Sequence, residues 1–121
     1  MPTREDLVRF EELMARHLVD GDLGALRREA EALPEELRAA AAHIDERGFR
    51  ITVLLCAKLR FERLTHGSRR ALEWFERDPA GFTESFRRYH HEVTPTAEDP
   101  RGEAALFERW CSLSSGTRTN A

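Results

Sequence analysis

Apolar residues recur at intervals of three and four positions along most of this chain, and that spacing most constrains its fold. Residues three and four apart share one face of a helix, so each such stretch predicts an amphipathic helix. The one segment that could form a strand is 50–56, where β-branched residues cluster, but it runs on into a helical pattern. We therefore expect an all-α protein, a compact single-domain bundle of about six or seven helices, several of them short.

Capping residues and helix breakers set the predicted boundaries. Thr3 with Asp6 three residues later is typical of a capped helix start, and Gly48 is typical of a helix end. Proline after Asp78 and after Asp99 marks two further starts. The predicted helices cover 4–19, 23–32, 34–48 and 49–66, followed by one after Ser68, one from Pro79 and one from Pro100. The helical domain should span 1–113, with a flexible C-terminal tail at 114–121.

Segment 49–66 is the most apolar part of the sequence, and we expect one central helix that is buried on most sides at its start. Cys56 lies in this segment and Cys111 in the last helix, and both are predicted to be free thiols packed as small apolar residues. No apolar run approaches about 18 residues, so we expect no membrane span. The first ten residues lack the apolar core of a signal peptide, which favours a cytoplasmic protein.

The charged residues are unevenly distributed along the chain. Residues 1–46 carry 6 basic and 12 acidic side chains, 47–91 carry 10 and 5, and 92–121 carry 3 and 5. Nucleic-acid-binding domains usually have a clear overall positive excess, whereas this chain has a net charge of -3. Binding to nucleic acid is therefore not expected, although the basic middle segment leaves a DNA-binding regulator as an alternative.

Motifs for catalysis are absent from the sequence. It contains no GxSxG nucleophile motif, no HExxH zinc motif and no phosphate-binding loop with a lysine. His90, His91 and Glu92 form the only tight cluster of possible metal ligands, but neighbouring helical residues point about 100° apart. We expect no cofactor and no catalytic residue, and a small metal-binding protein that uses these three residues stays as a second alternative.

Basic and aromatic residues alternate just before a proline-containing connector. Arginine and tyrosine often anchor protein interfaces, because they combine a large contact area with a polar tip. Loops held by a rigid scaffold are also common binding sites. Tyr89 could lie in the core or in the interface, since it continues the stripe of Phe82 and Phe86. The predicted partner-binding residues are Arg87, Arg88, Tyr89, His90, His91, Thr94, Pro95 and Thr96.

The layout of the second half resembles a known family. Arg70-Ala71-Leu72 precedes a helix that runs from Phe82 to Tyr89, and Pro95-Thr96 follows in the connector. Gly102 and Phe107 then lie on the final helix. This pattern is similar to the helical region of accessory proteins of multinuclear non-heme iron oxidases, a family often labelled a DNA-binding domain. Where that family often has His-Pro-Pro, this chain has Val93-Thr94-Pro95 after Glu92.

The resemblance implies a partner protein without an active site of its own. Members of the family help the oxidase to modify cysteine-bearing precursor peptides in natural-product biosynthesis. We therefore expect a non-enzymatic helical adaptor that binds another protein, with an iron-dependent oxidase and its precursor peptide as the implied partners.

Overall fold

Seven helices make up the described part of the chain, which is residues 1–119 of this computed structural model, with side chains described through Ser114. No strand occurs among these residues, so the predicted all-α fold class is confirmed. None of the described helices has the length and apolar character needed to cross a membrane. The helices are α1 (Arg4–Asp20), α2 (Leu23–Ala30), α3 (Glu35–Ala42), α4 (Glu46–Gly67), α5 (Arg69–Arg77), α6 (Pro79–Glu92) and α7 (Pro100–Thr119).

The chain divides into two compact units, Met1–Cys56 and Ala57–Ala121, and the boundary falls within α4. The predicted single domain, 1–113, is neither supported nor contradicted by this division. Helix α7 extends to Thr119, which is further than the predicted end near residue 113. The flexibility predicted for 114–121 stays a prediction, and residues 120 and 121 lie outside the described part.

The first unit packs small and aliphatic side chains between its short helices. The capping box predicted at Thr3 and Asp6 is present at the start of α1. Gly21 is the C-cap of α1, and its φ of 73° is a left-handed conformation that glycine adopts readily. Two apolar clusters fill the interior, one around Leu37 and one around Phe49. Their buried members are Leu23, Leu26, Ala30, Leu33, Leu37, Ala41 and Phe49.

The second unit has an aromatic core. Phe61 of α4 makes edge-to-face contacts with Phe75, Phe82 and Phe86, at centroid distances of 5.2 to 5.5 Å. This geometry is the one that aromatic quadrupoles favour. The buried residues of this core are Leu64, Ala71, Phe82, Phe86, Tyr89, Phe107, Trp110 and Cys111. Cys111 is therefore buried as predicted, whereas Cys56 is only half-buried.

The predicted helix end at Gly48 is wrong. Helix α3 ends at Ala42, and Gly48 lies in the first turn of α4. The reason is Asp45, whose carboxylate accepts a hydrogen bond from the Gly48 amide at 2.8 Å. Aspartate is a preferred residue at a helix start because its side chain satisfies an amide that the helix leaves unpaired. Asp45 therefore begins α4 three residues before the glycine that was expected to end α3.

Candidate functional site

A cluster of polar side chains lies inside the second unit, where apolar residues would be the rule. Arg60 of α4, Tyr89 of α6 and Glu103 of α7 are each completely buried. His90, the neighbour of Tyr89, is also buried. Charged residues are almost never fully buried without partners, because losing hydration costs several kcal/mol per ion. We call Arg60, Tyr89, His90 and Glu103 the buried cluster.

Arg60 is the centre of the buried cluster. Its Nε donates to Glu103 Oε2 at 2.9 Å, which forms a buried ion pair. Its Nη1 donates to the carbonyl oxygen of Val93 at 2.6 Å and lies 3.2 Å from His90 Nδ1. The guanidinium carbon also lies 4.4 Å from the centroid of the Tyr89 ring, a cation–π contact. One side chain of α4 therefore holds α6, α7 and the backbone between them.

The Glu103 carboxylate interacts with three hydrogen-bond donors. Besides Arg60, Arg63 Nη2 lies 3.1 Å from Glu103 Oε1, and the Tyr89 hydroxyl donates to Oε2. Burial, followed by this hydrogen bond, raises the pKa of Tyr89 well above its ordinary value. The hydroxyl therefore keeps its proton and acts as a donor. Glu103 lies in the first turn of α7, where a carboxylate is also favoured by the helix dipole.

His90 is held in one protonation state by its position. Arg60 has only donors, so the His90 Nδ1 that faces it must act as the acceptor. Burial, and next the positive charge of Arg60, lower the pKa of His90, with Glu103 acting in the opposite direction and His91 in the same one. The ring also stacks on Phe86, with centroids 5.7 Å apart. His90 is therefore a neutral core residue near pH 7.

This position predicts that acid destabilises the protein through His90. The pKa of His90 in the folded state lies below the unfolded value of 6.5, so the unfolded chain binds more protons as the pH falls through 6.5. Neutral His90 therefore makes its full contribution to the free energy of unfolding above pH 6.5. Below pH 6.5 this contribution decreases, by at most about 1.4 kcal/mol per pH unit for one proton.

The measurement compares wild type with His90→Asn, which keeps an acceptor but does not titrate, by urea unfolding between about pH 5 and pH 8. We expect wild type to lose stability relative to the variant as the pH falls. His17, whose pKa is raised, is present in both proteins and cancels in the difference. A difference that stays constant across this pH range would contradict the assignment of His90.

The connector, residues 93–99 between α6 and α7, is fixed by the buried cluster at its first residue. Val93 is the C-cap of α6; its amide donates to the Tyr89 carbonyl at 2.8 Å, and its own carbonyl accepts from Arg60. At the other end, the Asp99 carboxylate accepts from the Gly102 amide at 2.7 Å. The two prolines predict that residues 92–102 are not helical throughout, and the structure narrows the non-helical part to 93–99, since Glu92 ends α6 and Pro100 begins α7. Both ends of the connector are anchored.

The residues predicted to bind a partner divide into an exposed group and a buried group. Tyr89 and His90, at 0 % and 8 % exposure, belong to the core. The prediction of His90 as a surface residue is therefore wrong, and Tyr89 takes the core position, one of the two that the sequence left open. The physical reason is that both lie on the side of α6 that carries Phe86, where the Tyr89 hydroxyl pairs with Glu103 and His90 Nδ1 pairs with Arg60. The exposed members are Arg87, Arg88, His91, Thr94 and Thr96, and Pro95 is half-buried.

The exposed group lies beside the anchored connector. Arg88 Nε lies 3.9 Å from Glu92 Oε2, and the guanidinium carbon of Arg88 lies 5.7 Å from the centroid of the Trp110 ring. Trp110 in turn donates to Glu92 at 3.0 Å. Arg87 makes no hydrogen bond or ion pair with the residues that the structure describes. We call Arg87, Arg88, His91, Thr94, Pro95 and Thr96 the connector face.

The alternative metal site at His90, His91 and Glu92 is not assembled. His90 is buried against Arg60, His91 is exposed, and the Glu92 carboxylate accepts from Trp110. Within the described residues, no group of three or more His, Cys, Asp or Glu side chains is placed to hold a metal ion.

The first unit contains one buried ionisable side chain, His17 of α1. Its Nδ1 lies 3.1 Å from the Asp20 carboxylate, and its Nε2 contacts Glu29 of α2. Burial opposes protonation, but the hydrogen bonds to Glu29 and Asp20 outweigh it and raise the pKa of His17. This group joins α1 to α2, and Arg16 Nη1 lies 3.5 Å from the other carboxylate oxygen of Glu29.

Sequence reasoning missed Arg60 and Glu103, although the signal was present. Arg60 lies four residues after Cys56 and four before Leu64, so it falls in the stripe of α4 that faces the core. Glu103 precedes Phe107 by four and Trp110 by seven, which places it in the inner stripe of α7. Opposite charges at core positions of two helices predict a buried ion pair.

The start of α4 is not buried on most sides, which corrects the prediction for segment 49–66. Phe49 is buried, but the large apolar side chains on the opposite side of the helix are exposed to solvent. A helix that is apolar all round is normally covered all round. The exposed residues are Ile51, Leu54, Leu55 and Leu59.

The search for relatives gave no match among protein-family models, curated proteins or solved structures.

Proposed function

We propose that this chain is a non-enzymatic adaptor that binds another protein through the connector face. The observation that carries the proposal is the anchoring of the connector by Arg60. A loop whose first carbonyl is tied to a fully buried guanidinium is held in place before a partner arrives. Less conformational entropy is then lost on binding, which is the advantage of a preorganised surface.

The side chains of the connector face favour a partner segment that carries carboxylates. Guanidinium groups form paired, parallel hydrogen bonds with carboxylates. Arg87 has no hydrogen bond or ion pair with the described residues, and Arg88 makes a long, exposed ion pair with Glu92 and lies over the Trp110 ring. The hydroxyl groups of Thr94 and Thr96 add hydrogen-bond donors and acceptors to the connector face. An acidic, extended segment of a protein or peptide is therefore the proposed ligand class.

The resemblance seen in the sequence narrows this proposal further. It suggests an iron-dependent oxidase and its precursor peptide as the partners, with the protein working in the cytoplasm. The chain itself would supply binding and no catalytic group. The rival function, DNA binding, would use the same arginines, so the experiment includes it.

The proposal predicts that Arg87→Ala together with Arg88→Ala weakens partner binding. We expect a loss of at least about fivefold, which corresponds to about 1 kcal/mol, the usual mark of a contributing contact. The melting temperature should stay nearly unchanged, because exposed ion pairs contribute little to stability. The measurement is co-purification of a tagged chain from its native host, followed by binding measurements with the purified partner.

A matched control is available in the same unit. Arg69 and Arg70 are also adjacent, exposed arginines, and their change to alanine removes the same charge from α5. We expect that control to bind like wild type. Equal weakening by both pairs would show a general charge effect, and submicromolar, sequence-selective binding to duplex DNA would favour the regulator; either result contradicts the proposal.

A further inference from the structure

Glu92 lies beside the connector face, and its carboxylate is placed between two side chains. Glu92 Oε1 accepts a hydrogen bond from Trp110 Nε1 at 3.0 Å. The other oxygen, Oε2, lies 3.9 Å from Arg88 Nε. The guanidinium carbon of Arg88 lies 5.7 Å from the centroid of the Trp110 ring, so these three side chains are mutual neighbours.

The position of Glu92 is unfavourable for the helix that carries it. Glu92 is the last residue of α6, and a carboxylate there lies at the negative end of the helix dipole. The side chains of Glu92 and Arg88 are 51 % and 50 % exposed, and an exposed ion pair adds little to stability. The stability of α6 therefore does not explain a carboxylate at this position.

We propose that Glu92 is an internal competitor for Arg88, which a carboxylate of the partner displaces on binding. This inference rests on the proposed function, and it names the residue that limits how tightly the connector face binds an acidic segment. A guanidinium group binds carboxylates, so Glu92 already takes the place beside Arg88 that a partner's carboxylate would take. The 3.9 Å contact is longer than a charge-assisted hydrogen bond of about 2.7 to 2.9 Å, which makes it easy to displace.

This competition makes the two arginines of the connector face unequal. Arg87 makes no hydrogen bond or ion pair with the described residues, whereas Arg88 must first separate from Glu92. The hydrogen bond from Trp110 keeps the Glu92 carboxylate beside Arg88 even after displacement, so its negative charge also repels the incoming carboxylate. An acidic ligand should therefore gain more from Arg87 than from Arg88 in the wild-type chain.

Glu92→Gln tests the competition, because glutamine keeps an oxygen acceptor for Trp110 but carries no negative charge. The probe is a labelled peptide of about ten glutamates, which repulsion between like charges keeps extended. Its binding to the full chain is followed by fluorescence anisotropy at low salt, where charge interactions are least screened. We expect E92Q to bind the peptide at least about threefold more tightly than wild type. Damage to the fold would not produce such a gain in affinity.

Two further variants separate competition for Arg88 from a change in net charge. Glu84 is also exposed on α6, so Glu84→Gln removes the same charge from the same helix. We expect E84Q to bind the peptide nearly as wild type does. Arg88→Ala should have a small effect in the wild-type chain, but combined with Glu92→Gln it should remove the gain in affinity. Circular dichroism and the melting temperature show that each variant is folded.

The outcomes separate failure of this inference from failure of the proposed function. Equal gains in E92Q and E84Q, weaker binding by E92Q than by wild type, or a gain that survives Arg88→Ala would each overturn the competition. The proposed function would survive these results if Arg87→Ala with Arg88→Ala still weakened peptide binding. A peptide that binds neither wild type nor E92Q at up to about 1 mM would contradict both proposals.

Discussion

Replacing Glu103 with alanine is expected to lower the free energy of unfolding by roughly 3 to 5 kcal/mol, the usual cost of removing one partner from a buried ion pair. The variant leaves Arg60 fully buried with its charge unpaired, and the Tyr89 hydroxyl and Arg63 lose the same acceptor. Urea unfolding followed by circular dichroism measures the change.

Two further variants distinguish the effect of an unpaired buried charge from the effect of removing any carboxylate. Arg60→Met combined with Glu103→Leu should be less destabilised than Glu103→Ala alone, because no unpaired ion is then left inside. Glu46→Ala, which removes an exposed partner of Arg50, should have little effect. A loss of less than about 1 kcal/mol for Glu103→Ala would show that the cluster does not hold the second unit together.

Changing Gly67 to alanine should destabilise the same unit by about 2 to 3 kcal/mol. A Cβ atom built on Gly67 would lie 1.9 Å from the Pro100 carbonyl oxygen and 2.4 Å from its carbonyl carbon. These atoms belong to the backbone at the start of α7, so no side-chain rotation relieves the overlap. The end of α4 and the start of α7 would have to move apart.

Gly24→Ala is the matched control for this substitution. Its Cβ atom would meet only the ends of flexible or short side chains, 3.4 Å from Arg28 and 3.5 Å from Asp22. Alanine is the better helix former by about 1 kcal/mol, so this change should be neutral or stabilising. If both alanine variants unfolded at the same urea concentration, the close approach at Gly67 would carry no energetic weight.

Most of the fold could be predicted because helix boundaries are determined by residues close to them in the sequence. The capping box at Thr3, the caps at Ser68 and Asp78, and the prolines at 79 and 100 each act on their own turn of the chain. The exception at Gly48 also has a local cause, since the competing cap at Asp45 starts α4 before the glycine. Local signals fail where two of them compete.

The candidate site was harder to predict, because it depends on contacts between distant residues. The sequence pattern leaves Tyr89 open between core and interface, and it favours a surface position for His90 because this residue neighbours a connector. Their burial follows from Arg60, which lies about thirty residues earlier, and from Glu103. The exposed stripe at Leu54 was missed because an apolar run does not reveal which of its sides a neighbour covers.

Hydrogen exchange on the complex with the co-purified partner tests the central claim most directly. Amides at the end of α6 and in the connector, residues 87–96, should exchange more slowly in the complex than in the free chain. The Arg87→Ala/Arg88→Ala variant should lose this protection, and the Arg69→Ala/Arg70→Ala variant should keep it. Protection confined to other helices, with residues 87–96 unchanged, would contradict the proposal that the connector face binds the partner.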